Sequence, residues 1–193
     1  MFYYLPIVLM KKFLSLTLLS SLVILFWCTN TGTNSPSQDA VEIATTQAYE
    51  NKIENFAIQF PSTREFQENV YWSHVTFFTP LEENDTLREN ISITKKELDQ
   101  NYSLEEQYIL TKPELENLIP NFLEISKENI TINGIDAHKL IYQWTQSTYK
   151  LQWQQIYLIK DNAIYIATYT ATQDSFWEFV QDVDAMVNTL EIK

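Results

Sequence analysis

The chain has 193 residues and a formal net charge of −12, because 25 Asp and Glu residues outnumber 13 Lys and Arg residues. A nucleic acid partner is not expected, because phosphate binding needs a basic protein face. The chain contains two glycines and one cysteine. These counts exclude a glycine-rich phosphate loop and a disulfide framework. Beyond Cys28 the sequence offers no thiol for catalysis or redox chemistry.

The first element in the chain is an export signal that ends at Cys28. Lys11 and Lys12 precede an apolar run over residues 13–27, and a stretch rich in Thr, Asn and Ser follows the cysteine. This order is typical of a signal peptide. The junction resembles the lipobox of bacterial lipoproteins, in which the cysteine is acylated and the chain is cut just before it. We therefore predict a signal peptide over residues 1–28, with Met10 as an alternative start.

The residues just before Cys28 leave alternatives open. Leu25 fits the lipobox, but Phe26 and Trp27 stand where small residues are usual, which should hinder cleavage. An uncleaved N-terminal anchor and a plain secreted form are the alternatives, although the apolar run is short for a bilayer-spanning helix. The lipobox implies a bacterial envelope protein that faces the periplasm or the cell exterior. Thr29, in place of an Asp, favours the outer membrane where one exists.

Residues 29–50 are rich in polar residues and are predicted to be a flexible tether. Residues 51–193 are long enough for one domain with its own core. The first strands are predicted at residues 56–60, which end at Pro61, at residues 70–78 and at residues 87–95. An acidic loop over residues 81–86 separates the second strand from the third.

Two helices are predicted from capping and periodicity. Ser103 and Glu106 form a capping box at the start of a helical stripe that Pro120 ends. Pro113 within it predicts either a kink or two short helices. A second helix begins near Asp174 or Ser175, because apolar residues recur every three or four positions as far as Leu190.

Between these helices the sequence predicts four strands joined by tight turns. Asn133-Gly134 is a strong hairpin signal, and residues 160–163 form a second turn. Such short connections require antiparallel neighbours. The central strands, such as residues 164–170, carry apolar side chains on both faces. A sheet of this kind must be covered on both faces, so we expect an α/β/α sandwich with a largely antiparallel sheet.

The C-terminal half of the chain resembles the PsbP/DcrB-like family. Residues 132–137 carry its "ING-x-x-A" hairpin, residues 165–171 its "Y-x-x-T-Y-T-A" strand, and residues 56–62 (FAIQFPS) are similar to its first strand. The resemblance covers residues 54–193. It implies an α/β/α sandwich of the kind often found on bacterial lipoproteins and other exported proteins. The resemblance carries over no catalytic residues.

Few residues qualify as metal ligands. His138 lies two residues from Asp136 on one strand face, so a divalent cation could bridge them, but a zinc site needs three or four ligands. A surface or satisfied core histidine is the alternative, as it is for His74. Residues 82–85 (EEND) are rich in oxygen ligands but lack the spacing of an EF-hand. Asp182 and Asp184 point apart on a helix and cannot form an acid–base pair.

Three aromatic residues, Trp144, Tyr149 and Trp153, flank the turn at residues 146–148 and are the candidate partner-binding surface. The alternative is that they pair across strands and hold the hairpin together. The sequence contains no nucleophile elbow, and we predict no catalytic residues and no cofactor.

The leading functional hypothesis is a non-enzymatic, lipid-anchored envelope protein whose domain binds or stabilises a membrane-associated complex. A small-ligand or divalent-cation binding lipoprotein is the alternative, and a hydrolase comes third.

Overall fold

The computed structural model describes residues 45–70, 72–81, 87–119, 121–146 and 149–193. Cys28, the predicted signal peptide, most of the predicted tether and the acidic run at residues 82–85 lie outside the described residues. The elements follow one another as β1 (Thr46–Asn51), β2 (Phe56–Pro61), β3 (Glu65–Glu68), β4 (Val75–Phe78), β5 (Asn90–Glu97), α1 (Leu104–Leu118), β6 (Leu123–Ile132), β7 (Ile135–Gln146), β8 (Tyr149–Lys160), β9 (Ala163–Thr172), α2 (Phe176–Val187) and β10 (Glu191–Ile192).

The described strands form two antiparallel sheets. Within the described ranges, the larger sheet has seven strands in the order β3-β4-β5-β9-β8-β7-β6, and the smaller has three in the order β1-β2-β10. Every strand pair in both sheets is antiparallel. The prediction of a largely antiparallel sheet is therefore confirmed.

The two predicted turns are present and have the backbone that their residues favour. Asn133 and Gly134 have φ values of 47° and 80°, and Asp161 and Asn162 have φ values of 52° and 60°. Positive φ at both central residues defines the turn that matches the twist of a β-hairpin. These two turns set the registers of β6 with β7 and of β8 with β9.

Helix α1 begins at the predicted capping box. The Ser103 hydroxyl accepts a hydrogen bond from the Glu106 backbone N–H, and the Glu106 carboxylate accepts one from the Ser103 N–H at 2.8 Å. The helix continues through Pro113 to Leu118 as one element, so the expectation of two short helices is wrong. The predicted stop at Pro120 lies outside the described residues, and Ile119 is the C-cap.

The larger sheet has an apolar cluster on each face, because alternate residues of its central strands point to opposite sides. On one face, Tyr165 and Ile156 pack with the buried side of α2 and with β2 of the smaller sheet. On the other face, Ile164 and Tyr157 pack with Leu115 of α1. In the described residues each face therefore carries one helix, and the smaller sheet shares the α2 face. Full helical layers, as in the expected α/β/α sandwich, are not confirmed.

The N-terminal strands differ most from the predictions. Residues 46–50 of the expected tether belong to β1, so the ordered domain begins before residue 51. The single strand predicted over residues 70–78 starts only at Val75, and the unpredicted β3 pairs with it. All four residues of β3 are exposed at the sheet edge. Three of them are polar, so the segment lacks the apolar alternation by which a strand is predicted from sequence.

Candidate functional site

The candidate functional site is a crevice between α1 and the strands β7 and β8. Its apolar floor is formed by Leu115, Leu140 and Tyr157, and Tyr108 and His138 lie at its wall. The cavity volume is about 10 Å³, which is close to the space that one water molecule needs. An organic ligand therefore requires α1 to move away from the sheet.

A network of charged and aromatic side chains holds α1 against the edge strand β6. Glu124 of β6 accepts hydrogen bonds from the Tyr108 hydroxyl at 2.8 Å and from the Lys112 ammonium at 2.6 Å. Burial alone would raise the pKa of Glu124, but these two hydrogen bonds outweigh it and lower the pKa. Lys112 also lies 3.3 Å from Glu116, one turn further along α1. Glu124 therefore stays ionised and ties two side chains of α1 to β6.

A second contact lies nearer the start of α1. The Lys127 ammonium donates to Glu105 and lies 3.9 Å from the centre of the Tyr108 ring. His138 Nε2 lies 3.9 Å from the same carboxylate. Burial of His138 lowers its pKa from 6.5, the nearby Lys127 lowers it further, and Glu105 opposes the shift. These contacts favour the neutral form of this buried histidine.

The predicted cation pair is not assembled into a metal site. His138 is buried and Asp136 is exposed, and the carboxylate that approaches His138 is that of Glu105. His74 lies 3.8 Å from a Glu54 oxygen. Across the described ranges no group of three or more His, Cys, Asp or Glu residues is placed to hold a metal ion. Neither histidine is hydrogen-bonded to a Ser or Thr hydroxyl in those ranges, so no Ser–His pair is formed there.

The predicted aromatic partner surface lies largely in the core. Trp144 and Trp153 are buried, and their ring centres are 4.7 Å apart with the planes at 80°. Trp153 also packs edge-on against Tyr142, its register partner, at 5.3 Å. These two rings pair across strands, as in the alternative interpretation, and are not exposed for a partner. The side chain of Tyr149 lies outside the described residues.

Around these rings, several buried side-chain polar atoms have no hydrogen-bond partner among the described residues. They are Tyr142 Oη, Trp144 Nε1, Trp153 Nε1 and Thr170 Oγ1. Tyr142, Trp153 and Thr170 are direct register partners across β7, β8 and β9, so their side chains lie on the same face of the sheet. Unpaired buried donors of this kind cost about 1–3 kcal/mol each.

On α2, Asp182 is exposed, whereas Asp184 is half-buried. Asp184 accepts hydrogen bonds from Lys139 at 2.7 Å and from Gln154 at 2.8 Å. It therefore joins the helix to β7 and β8, and it has a structural role in this arrangement.

One exposed apolar surface was not predicted from the sequence. Ile109 on α1 and Ile125 on β6 are exposed large apolar side chains. Ile109 lies between Glu105 and Lys112 in the helix, and Ile125 lies between Glu124 and Lys127 in the strand. Members of the ion pairs Glu105–Lys127 and Lys112–Glu124 thus flank both isoleucines along the chain, and Ile125 lies at a register shift in the pairing of β6 with β7. We name the two isoleucines and these two ion pairs the α1–β6 strip. The available sequence signal was that Ile109 falls outside the buried stripe of α1.

None of the helices that the structure describes combines the length and the apolar character needed to cross a membrane.

Comparison with known proteins gives a consistent family assignment. The sequence model of the family described as PsbP-like protein matches residues 20–192. No curated protein matches the chain. The solution structure of cyanobacterial PsbP (CyanoP) from Synechocystis sp. PCC 6803 is similar, with a TM-score of 0.56 and 13% identity over 82% of this chain and 98% of that one.

Two further solved structures share the fold. LpqN of Mycobacterium tuberculosis has a TM-score of 0.56 and 11% identity over 79% of this chain and 87% of LpqN. The Ran-binding protein Mog1p of Saccharomyces cerevisiae has a TM-score of 0.54 and 8% identity over 77% of this chain and 96% of Mog1p. At these identities the likeness concerns the fold alone. The resemblance found in the sequence is confirmed, and the chain belongs to the PsbP-like protein family.

Proposed function

We propose that this chain is a non-enzymatic, lipid-anchored protein of the bacterial cell envelope whose domain binds or stabilises a membrane-associated protein complex. The lipid is attached at Cys28, and residues from 29 to the start of β1 act as the tether. Two acyl chains anchor a protein stably, whereas one does so only marginally. Thr29 after the cysteine favours the outer membrane where one exists. A tethered domain has a high local concentration near its partners, so weak contacts are sufficient.

Two of the similar structures support this proposal. LpqN is involved in cell envelope biogenesis, and Mog1p is a Ran-binding protein. The same fold therefore occurs in a protein of envelope biogenesis and in a protein that binds another protein. Members of the PsbP-like family are generally non-enzymatic, in keeping with a binding role.

The observation that carries the proposal is the α1–β6 strip. Ile109 and Ile125 are exposed apolar side chains flanked by fixed charges, and exposed apolar residues with a polar rim are typical of protein interaction sites. The strip also lies on β6, which is an edge strand of the larger sheet. An edge strand has unpaired backbone donors and acceptors, to which another chain can bond. We assign the strip to a protein partner in the same membrane.

Photo-crosslinking in native membranes tests this assignment. A benzophenone amino acid in place of Ile109 should yield a discrete adduct with a membrane-associated protein. The same substitution at Ile53, an exposed residue of the β1–β2 turn, is the matched control. Identical adducts from both positions, or none from residue 109, would contradict the proposed partner surface. Mass spectrometry of the mature N-terminus tests the anchor, and an unmodified chain that retains residues 1–27 would contradict it.

Ligand binding under α1 is the second candidate function. It is favoured by the apolar floor of the crevice and by the small buried face of α1, on which the residues described as buried are Thr111 and Leu115. Because the closed crevice has room for about one water molecule, binding must displace the helix. Calorimetry with calcium, zinc and manganese tests the cation version, and the absence of heat would remove it. A hydrolase would instead lose turnover on a screened substrate when His74 or His138 is replaced.

A further inference from the structure

One end of the domain contains the point where the chain enters from the N-terminal side. The Thr45 carbonyl accepts a hydrogen bond from the Ser62 N–H at 2.7 Å, which places the entry beside the β2–β3 turn. Phe60 packs on Phe77 at 4.8 Å between ring centres, so the end of β2 lies beside the end of β4. Strand registers place the following segments at this same end: the exit of β4, the start of β5, the end of β9, the end of β7, the start of β6, the C-terminus of α1 and the N-terminus of α2. We call it the tether end.

Exposed apolar side chains occur around the tether end. They are Leu81 after β4, Leu118 at the end of α1, Leu123 at the start of β6, and Trp177 in the first turn of α2, which is 59% exposed. The Trp177 ring packs edge-on against the buried Phe176 at 4.9 Å, which fixes its position. Since β4 and β6 are five strand steps apart in the sheet, these side chains are spread over about 24 Å at the usual strand spacing. Such a spread fits a flat surface better than a groove.

The length of the preceding linker favours this end of the domain as the one nearest the membrane. Residues 29–44 separate Cys28 from the first described residue. A polar linker of this length has an end-to-end distance of about 20–24 Å. A compact domain of residues 45–193 has a radius of gyration of about 15 Å and hence a diameter of about 38 Å. The opposite end, with Ile53 and Trp72, therefore lies beyond the usual reach of the linker.

The exposed charges at the tether end indicate which kind of lipid headgroup it can contact. Asp174, Glu178 and Glu116 are exposed acidic residues at or near the tether end, and Lys150 is the exposed basic residue of the adjoining strand start. An anionic surface would repel this end, whereas neutral headgroups would not. Tryptophan, like tyrosine, is enriched at the headgroup level of a bilayer. The tether end therefore has the chemistry of a contact with a neutral lipid surface.

We propose that the tether end is a membrane-contacting surface, on which Trp177, Leu81, Leu118 and Leu123 enter the interface of a neutral bilayer. This inference rests on the proposed anchor at Cys28 and adds an orientation to it. In this orientation the strands run roughly perpendicular to the membrane plane. The α1–β6 strip then lies on a lateral face of the domain.

Fluorescence quenching by brominated lipids tests the contact. Because Cys28 is the sole cysteine, the full chain purified in its unacylated form can be coupled through the free thiol to a maleimide lipid in neutral phosphatidylcholine vesicles. Every protein in the series carries Trp27→Phe, which removes the indole beside the anchor. Trp177→Phe is then compared with Trp72→Phe, which removes an indole that is 67% exposed at the opposite end.

We expect the fraction of tryptophan emission that the brominated lipids quench to fall several-fold in Trp177→Phe and to stay unchanged in Trp72→Phe. Leu118→Ser with Leu123→Ser should weaken quenching of the retained Trp177, whereas Ile53→Ser should not. Added anionic lipid should also weaken it. Equal quenching in the two tryptophan variants, or a gain with anionic lipid, would overturn the inference. Acylation is measured separately on native protein, so a missing acyl group would overturn the anchor and leave the quenching result valid.

Discussion

Replacement of Trp153 tests whether the rings of Tyr142, Trp144 and Trp153 on β7 and β8 form a packed core. Its side chain is 1% exposed and packs edge-on against both Trp144 and Tyr142. A buried aromatic side chain removes about 150–250 Å² from water, which corresponds to about 4–6 kcal/mol at the usual coefficient. Trp→Ala in a core typically costs about 3–5 kcal/mol. This is the starting estimate for Trp153→Ala.

The unpaired indole N–H reduces that cost. Trp153 Nε1 is buried and has no hydrogen-bond partner in the part of the chain that the structure describes, and an unmet buried donor is unfavourable by about 1–3 kcal/mol. Because the substitution also removes this donor, we expect Trp153→Ala to lower the free energy of unfolding by about 3 kcal/mol. Trp153→Phe keeps an aromatic ring and removes the N–H, so it should cost less than half as much.

Urea unfolding followed by circular dichroism measures both variants. With an m-value of about 1–3 kcal/mol/M, Trp153→Ala should shift the midpoint by about 1–3 M. Trp72→Ala is the exposed control and should change the free energy of unfolding by no more than about 0.5 kcal/mol. A midpoint unchanged by Trp153→Ala would refute the packed-core reasoning. If Trp153→Phe lowers the free energy of unfolding as much as Trp153→Ala does, the indole N–H has a hydrogen-bond partner. The reduction of the starting estimate for an unpaired N–H would then be wrong.

Three further predictions concern local features. Ser103→Ala removes the cap of α1 and should cost about 1 kcal/mol in urea unfolding, whereas no loss would mean that the capping box does not stabilise the helix. The added methyl group of Gly134→Ala would meet no atom of the described residues within 4 Å, but φ stays at 80°, so a cost of about 1 kcal/mol should come from backbone strain alone. Burial, aided by Lys127, holds the pKa of His138 below 6.5. The unfolded chain therefore takes up a proton at higher pH than the folded chain, and stability should fall on acidification below pH 6.5, by at most about 1.4 kcal/mol per pH unit. His138→Asn should flatten this dependence, and parallel curves for the two proteins would contradict the shift.

The parts of the fold that were predicted correctly depend on local signals. The Asn133-Gly134 turn and the Ser103–Glu106 box each lie within four consecutive residues, so their chemistry can be read directly from the chain. Strand β3 was missed because its stability comes from pairing with β4 at a sheet edge. Strand β1 was assigned to the tether for a similar reason, since it is polar in sequence and is held by β2.

The candidate site was less predictable because it joins distant positions. Glu105 and Lys127 are 22 residues apart, and Tyr108 and Glu124 are 16 apart. Only the packing of α1 on β6 brings them together. Trp144 and Trp153 belong to strands that are apolar on both faces, so alternation cannot tell a covered face from an exposed one. The resemblance to a family supplied the fold and left these contacts open.

The two proposals constrain each other through the geometry of the sheet. Strand β6 runs from the tether end toward the opposite end at one edge of the seven-stranded sheet. When the tether end rests on a bilayer, this edge stands perpendicular to the membrane and Ile125 lies close above its surface. A partner at the α1–β6 strip must then project from the same membrane. A partner found only in solution would favour a domain that lies on its side, with Trp177 away from lipid. The crosslinking and quenching experiments should therefore agree, because both depend on one orientation of the same rigid sheet.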